Sequence, residues 1–268
     1  FPLAAADGEQ LAREAVRLAW RLSKITVVTL VLGGCLNLDA WVRRGRDPFR
    51  IVNLWASRWA AACFWIFGVH LHAEGPFIDQ GQLYPGQGEN GVGRIFVLNH
   101  HSMIDIPIAY RWLAAHAISR HDLANWPIVG RISKRLGTFF VDRSSRRSGA
   151  DVLQEVDATL ASGEGVVMFP EGTSYRGDQV RAFRPGAFKA AERAGAEMVP
   201  LGVAYEDDEA CYYHEPFTTH MKRVVKRRRL LVALVAGSPI AFEGRTPVEM
   251  KDLLHARVQE LALAARAK

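Results

Sequence analysis

Ile95-Phe96-Val97-Leu98-Asn99-His100-His101-Ser102-Met103-Ile104-Asp105 reads as a short apolar strand running into a polar turn, and the turn holds an imidazole followed five residues later by a carboxylate. That is the order a strand, a turn and a catalytic pair would take. Imidazole titrates nearest neutrality of all side chains, and a neighbouring carboxylate can fix its tautomer and stabilise the imidazolium it becomes. Spacing leaves the choice of histidine open. His101 and Asp105, four apart, would share one helical face, whereas His100 and Asp105, five apart, need the chain to bend between them. The plainer use of such a pair is a helix cap or a surface hydrogen bond.

Two other unusual segments also follow short apolar runs. Thr138 to Val141 leads into Asp142-Arg143, and Val166 to Phe169 leads into Pro170-Glu171-Gly172. In an open α/β sheet, ligands bind beyond the carboxyl ends of the strands, where the following loops converge. These clusters can therefore form one site, with His100 and Asp105 supplying acid/base chemistry, Arg143 an anion clamp and Glu171 a second polar wall. Further strands are expected at Val69 to Glu74, Met198 to Val203 and Leu230 to Val235. Helices are expected near Ile104 to Ala115, Ser148 to Ser162, Gly186 to Ala194 and Val248 to Ala265. That alternation predicts an α/β fold with a largely parallel central sheet flanked by helices.

The motifs carry a family resemblance. Asn99 to Asp105 resembles the N-H-x-S-x-x-D block of the 1-acyl-sn-glycerol-3-phosphate acyltransferase, or glycerolipid acyltransferase, superfamily. Gly137-Thr138-Phe139-Phe140-Val141-Asp142-Arg143 resembles its G-x-x-F-[IV]-x-R block, Phe169-Pro170-Glu171-Gly172-Thr173 its F-P-E-G-T block, and Val199-Pro200-Leu201 its fourth. All four stand in the family's order, and the resemblance covers roughly residues 69 to 245. It implies that His100 and Asp105 are the catalytic pair, which chooses between the histidines. It also implies that Arg143, Glu171, Gly172, Thr173, Arg176 and Arg184 bind substrate, with Asn99, Ser102, Gly137 and Phe140 in support. Two departures bear on the acceptor. Ser174 stands where many phosphatidate-forming members carry arginine, and Arg120 and His121 stand where a lysine is frequent.

The implied reaction is transfer of a fatty acyl group from acyl-coenzyme A or acyl carrier protein to the hydroxyl of a lysophospholipid, foremost 1-acyl-sn-glycerol-3-phosphate. The close alternative acceptor is an amino-acid-containing lysolipid, and a non-catalytic lipid-binding module is the alternative outside enzymes. His100 would take the hydroxyl proton, Asp105 would orient the ring, and backbone N–H groups around Glu171 and Gly172 are candidate oxyanion donors. With no G-x-S-x-G elbow, Ser102 reads as an N-cap or hydrogen-bonding residue. No cofactor is called for. Nor is a metal, since H-x-x-x-D lacks further ligands at recognisable spacing.

A net charge of +6 over 268 residues, 49% of them hydrophobic, suits an anionic partner and a sizeable core. The basic run Lys222 to Arg229 carries no nucleic-acid motif and reads as a solvated edge or a contact to anionic lipid, so no nucleic-acid partner is expected. Gly86 to Gly91 spells G-x-G-x-x-G but precedes a strand, which removes the dinucleotide context. Cys35, Cys63 and Cys211 show no pairing or metal spacing.

The first quarter of the chain differs from the rest. Ile25 to Leu38 is uncharged and apolar but interrupted by Gly33-Gly34, and it falls short of the roughly 20 residues that span a bilayer. Ile51 to Val69 is rich in tryptophan and phenylalanine, and arginines flank both runs. Residues 1–68 are thus expected to form an interfacial or re-entrant helical hairpin on an anionic membrane surface, and residues 69–268 an α/β domain. With the resemblance, this implies the cytoplasmic face of a bacterial inner membrane.

Overall fold

In the computed structural model, residues 2–44, 47–126, 129–142 and 146–268 are described. The apolar runs become a seven-stranded sheet of order β1-β7-β6-β2-β5-β3-β4. Its strands are β1 (Val69–Glu74), β2 (Ile95–Leu98), β3 (Ala115–Arg120), β4 (Phe139–Val141), β5 (Gly165–Met168), β6 (Met198–Tyr205) and β7 (Leu230–Ala236). Every pairing is parallel except that of β6 with β7. β2, β5 and β6 are buried along their whole length, as central parallel strands covered on both faces must be.

The pleat sends alternate residues of β2 into two cores. Phe96 and Leu98 join Ile104, Ile108, Phe64 and Phe67 on one face; Ile95 and Val97 join Val156, Leu160, Phe188 and Leu254 on the other. The first face is covered by α2 (Pro48–Phe67), α3 (Asp105–Trp112) and α7 (Phe217–Lys226), the second by α5 (Arg146–Ala161), α6 (Gly186–Ala194) and α8 (Pro247–Arg266). A short α4 (Val129–Arg135) precedes β4. The helix starts follow local chemistry: Pro247 begins α8 behind a reciprocal Thr246–Glu249 capping box, and Asp47 caps α2 ahead of Pro48.

Two elements differ from expectation. The helix after Asp105 stops at Trp112, and Ala115–Arg120 is a strand rather than a helix end. Two alanines give that segment little intrinsic β preference, and pairing to β5 and β4 draws it into the sheet. The first part of the basic run belongs to α7, where Arg223 pairs with Glu215 and Lys226 with Glu14. It is therefore engaged within the fold rather than forming a free edge.

The N-terminal quarter is a helical hairpin of α1 (Pro2–Val42) and α2. The expected break at Gly33-Gly34 is absent. α1 runs through both glycines, and nothing lies within 4 Å of where either Cβ would stand. The span Ala12–Val42 is consequently long and apolar enough, by length and composition, to cross a membrane, unlike the shorter run read from sequence. Trp20, Leu30, Val31, Trp41 and Trp65 are exposed. The hairpin is also fastened to the sheet domain: the Arg21 guanidinium donates to the carbonyls of Val225 (2.6 Å), Arg227 and Arg228, and Arg17 to that of Lys226 (3.0 Å). These carbonyls end α7, where the helix dipole favours a cation.

Candidate active site

β2 ends at Leu98, and the turn that follows is bent around one carboxylate. Asp105 is fully buried, and its Oδ2 accepts from the backbone N–H of His101 (2.7 Å) and of Ser102 (2.9 Å) and lies 2.7 Å from His100 Nδ1. Burial alone would raise its pKa, but the His100 hydrogen bond and charge, with help from His101 and Ser102, hold it below the ordinary carboxylate value. With Nδ1–H donated to Asp105, the basic nitrogen of His100 is Nε2. The ring rests on Phe169 at a centroid distance of 4.3 Å. His101 is placed differently: Nδ1 donates to the Tyr175 carbonyl (2.7 Å) and Nε2 accepts from the Asn99 amide (2.8 Å). Asn99 in turn exchanges hydrogen bonds with the backbone N–H and C=O of Val203, both at 2.8 Å. Both ring nitrogens of His101 are thus consumed by the fold.

The loop after β5 locks onto this turn. Glu171, buried, accepts from the backbone N–H of His100 (2.7 Å) and of Arg181 (2.8 Å), one on each oxygen. Burial raises its pKa, and the two backbone donors counter that rise in part. It is a brace between two loops rather than the polar wall expected from sequence. Gly172 has φ +76°, and a Cβ there would stand 2.4 Å from Arg184 Nε, so the guanidinium lies against the glycine backbone. Its N–H donates to the Phe169 carbonyl at 3.0 Å, which removes it from the expected oxyanion donors.

His100 opens onto a cavity of about 430 Å³. Its walls are mostly apolar and come from α1 (Leu22, Ile25), α2 (Phe64) and α7 (Met221, Val225), with Thr173 and Ser174 also in the lining. An imidazole paired with a carboxylate in the wall of an apolar chamber suits chemistry on one end of a long apolar chain.

Comparison with known proteins agrees. Residues 85–204 match the family model described as Acyltransferase. The chain is 28% identical over 249 residues to a lyso-ornithine lipid O-acyltransferase of Pseudomonas aeruginosa, covering 87% of this chain and 90% of that protein. It is 27% identical over 150 residues to a 1-acyl-sn-glycerol-3-phosphate acyltransferase of Neisseria gonorrhoeae, covering 54% of this chain and 59% of that one. The fold is that of the crystal structure of PlsC, a 1-acyl-sn-glycerophosphate acyltransferase from Thermotoga maritima, at a TM-score of 0.74 over 97% of this chain and 98% of the other, with 18% identity. The chain carries an acyltransferase domain at residues 85–204 and is similar to glycerolipid acyltransferases.

The acyltransferase departs from its sequence reading at several site residues. Arg143 lies outside the described residues. Gly137, φ +69°, serves packing: a Cβ there would stand 2.2 Å from His116 Nδ1. Phe140 is half-buried on β4. Arg176 faces Glu209 (3.3 Å) and stacks on Tyr213 (4.6 Å), on a loop that the Tyr212 N–H ties to the His101 carbonyl at 2.7 Å. Ser102 is no N-cap; its hydroxyl lies 3.3 Å from His220 Nε2. Among the described residues no three His, Cys, Asp or Glu side chains converge as a metal would require.

Two residues of the candidate site were missed in sequence. Tyr205, at the end of β6, donates its hydroxyl to Asp105 Oδ1 at 2.5 Å. His220 of α7, fully buried, accepts the Met103 N–H on Nε2 at 3.2 Å; burial and the Arg223 charge push its pKa down to about 4, so at neutral pH it is uncharged. Neither belongs to a local motif. The extension of the fourth block's strand to Tyr205 was the one signal available.

Proposed function

We propose that this acyltransferase esterifies the free hydroxyl of a lysophospholipid with a fatty acyl group taken from a thioester, acyl-coenzyme A or acyl carrier protein. The observation that carries this is the His100–Asp105 hydrogen bond in the wall of the apolar cavity. His100 Nε2 accepts the hydroxyl proton as the oxygen attacks the thioester carbonyl, and Asp105 stabilises the imidazolium. The Thr173 and Ser174 hydroxyls, which line the same cavity, are suited to donate to the oxyanion. As the tetrahedral intermediate collapses, the carbon–sulfur bond breaks and the imidazolium returns the proton to the leaving thiolate. Ester and free thiol are the products, with no acyl-enzyme and no cofactor. The cavity holds the acyl chain.

Lysophosphatidate, giving phosphatidate, is the acceptor that the four blocks fit, and the named activity of the Neisseria relative supports it. A specific observation favours a second reading, lyso-ornithine lipid: Ser174 replaces a headgroup arginine, Arg176 is already faced by Glu209, and the similarity extending over 87% of the chain is to an enzyme named for that acceptor. The helical hairpin, residues 1–68, would hold the α/β domain, residues 69–268, against anionic lipid at the cytoplasmic face of a bacterial inner membrane; its exposed tryptophans and apolar length support this.

The test is thiol release by the full chain in mixed micelles, with one acyl thioester and a panel of lysolipids. Release with lysophosphatidate alone supports the first acceptor, and release with lyso-ornithine lipid alone the second. No release with any acceptor and either carrier would overturn acyl transfer.

A further inference from the structure

β6 overshoots its neighbour. β2 pairs with it as far as Leu98 opposite Leu201, and the remaining residues to Tyr205 are held by β7 from the other side, Tyr205 facing Val232. Pairing with β7 supports this overhang, and the Arg266 guanidinium of α8 also donates to the Tyr205 carbonyl. The overhang delivers the Tyr205 hydroxyl to Asp105 from behind, on the oxygen that His100 does not use. Both side chains are buried, so no water competes for either.

We infer that Tyr205 is a positioning residue for acyl transfer, acting through Asp105 on the basicity of His100. This rests on His100 being the base. The carboxylate's oxygens are divided: Oδ2 serves His100 and the backbone N–H groups of the turn, and Oδ1 serves Tyr205. A carboxylate anchored on both oxygens cannot rotate about its bond to the chain, which fixes the direction in which it holds the imidazole. The phenol also draws negative charge toward Oδ1, so Oδ2 grips the imidazolium less tightly and Nε2 gives up its proton more readily. Other ionisable or charged groups facing this assembly are His101 behind the turn, Glu171 on the His100 backbone, Cys211 near Asp105, and His220 with Arg223 and Glu215 beyond Ser102. Only Tyr205 touches the free oxygen among the bonds of the described residues.

The test is Tyr205→Phe in the full chain, which removes the hydroxyl and keeps the ring. The acid limb of the kcat/KM–pH profile is expected to move upward, kcat near neutrality to fall about tenfold, as a tenfold tighter hold on the imidazolium proton implies, and both KM values to stay within about twofold. An unchanged limb and kcat would overturn the inference. So would a loss of kcat and KM together with a lowered melting midpoint and no displaced limb, since that is a packing effect. A second measurement reads the bond directly in protein labelled with ¹⁵N-histidine: the downfield proton on His100 Nδ1 should move in Tyr205→Phe, and a stationary resonance counts against the idea. His100→Ala run in parallel separates the readings. If it stays active, the base assignment fails; if it is inactive while Tyr205→Phe behaves as wild type, only Tyr205 is excluded.

Discussion

His220 Nε2 lies 3.2 Å from the Met103 nitrogen and accepts its N–H, so a buried, uncharged ring on α7 holds the backbone of the His100–Asp105 turn. Protonation would set a second N–H against the first. The folded pKa, about 4, lies below the ordinary value of 6.5, so the associated stability is present above pH 6.5 and is lost as pH falls toward 4. On the order of 3 kcal/mol is at stake over that window. Melting midpoints of wild type should fall between those pH values, and those of His220→Gln should fall distinctly less.

The two adjacent histidines should separate cleanly. His100→Ala is expected to lower kcat by about 10³-fold or more, because the base is removed. His101→Gln should retain activity within about tenfold and instead lose thermal stability, since each missing hydrogen bond is worth about 1 kcal/mol. Steady-state rates with matched melting curves check both. Loss of chemistry in the His101 variant alone would reverse the assignment.

Glu171→Gln keeps the shape but presents an amide –NH₂ to one of two backbone N–H groups, those of His100 and Arg181. Its kcat should fall about tenfold or more through displacement of the His100 backbone. The pH dependence has a definite sign. Burial raises the folded pKa of Glu171 above 4.5, so its contribution is full below that value and is lost as pH rises through the folded pKa. The stability of wild type relative to Glu171→Gln should therefore decline as pH rises above 4.5.

Arg21→Ala removes the guanidinium that holds three carbonyls at the end of α7. Charge-assisted bonds of this kind are worth about 1.5–3 kcal/mol each. Amide exchange should speed up in the first half of α1 and the last turn of α7, while the core strands β2, β5 and β6 keep their protection. Uniform exchange across the chain would contradict a local fastening.

Cys63→Trp tests the chamber itself. Cys63 is buried on α2 and lines the cavity, so an indole there takes up room for the substrate. Donor preference should shift to shorter acyl chains, with the pH profile of His100 unchanged. Competition between long and short thioesters measures the change in preference.

Most of the sheet was legible because its strands are unbroken apolar runs, and the site's location followed because the polar clusters come immediately after them. β3 was illegible: Ala115-His116-Ala117 has no strand signature, and only its neighbours β5 and β4 place it. Gly33-Gly34 misled because glycine's weakness as a helix former is a small term beside two long apolar flanks. Tyr205 and His220 reach the turn from 100 and 117 residues away in sequence, a distance no local motif covers. The division of labour between His100 and His101 has the same origin. Their own sequence neighbourhood is nearly identical, and it is the Tyr175 carbonyl and the Asn99 amide that occupy His101.

Leu22, Ile25, Thr26 and Thr29 of α1 form part of the wall of the cavity that His100 lines. A truncation that discards the first helix for the sake of solubility would therefore unroof this cavity, and if acyl transfer takes place there the shortened protein would be a poor surrogate in inhibitor screens. Conversely, a small molecule wedged between α1 and α7 would fill this cavity without touching His100, and on the proposed membrane placement of the hairpin it would arrive from the lipid phase rather than from water.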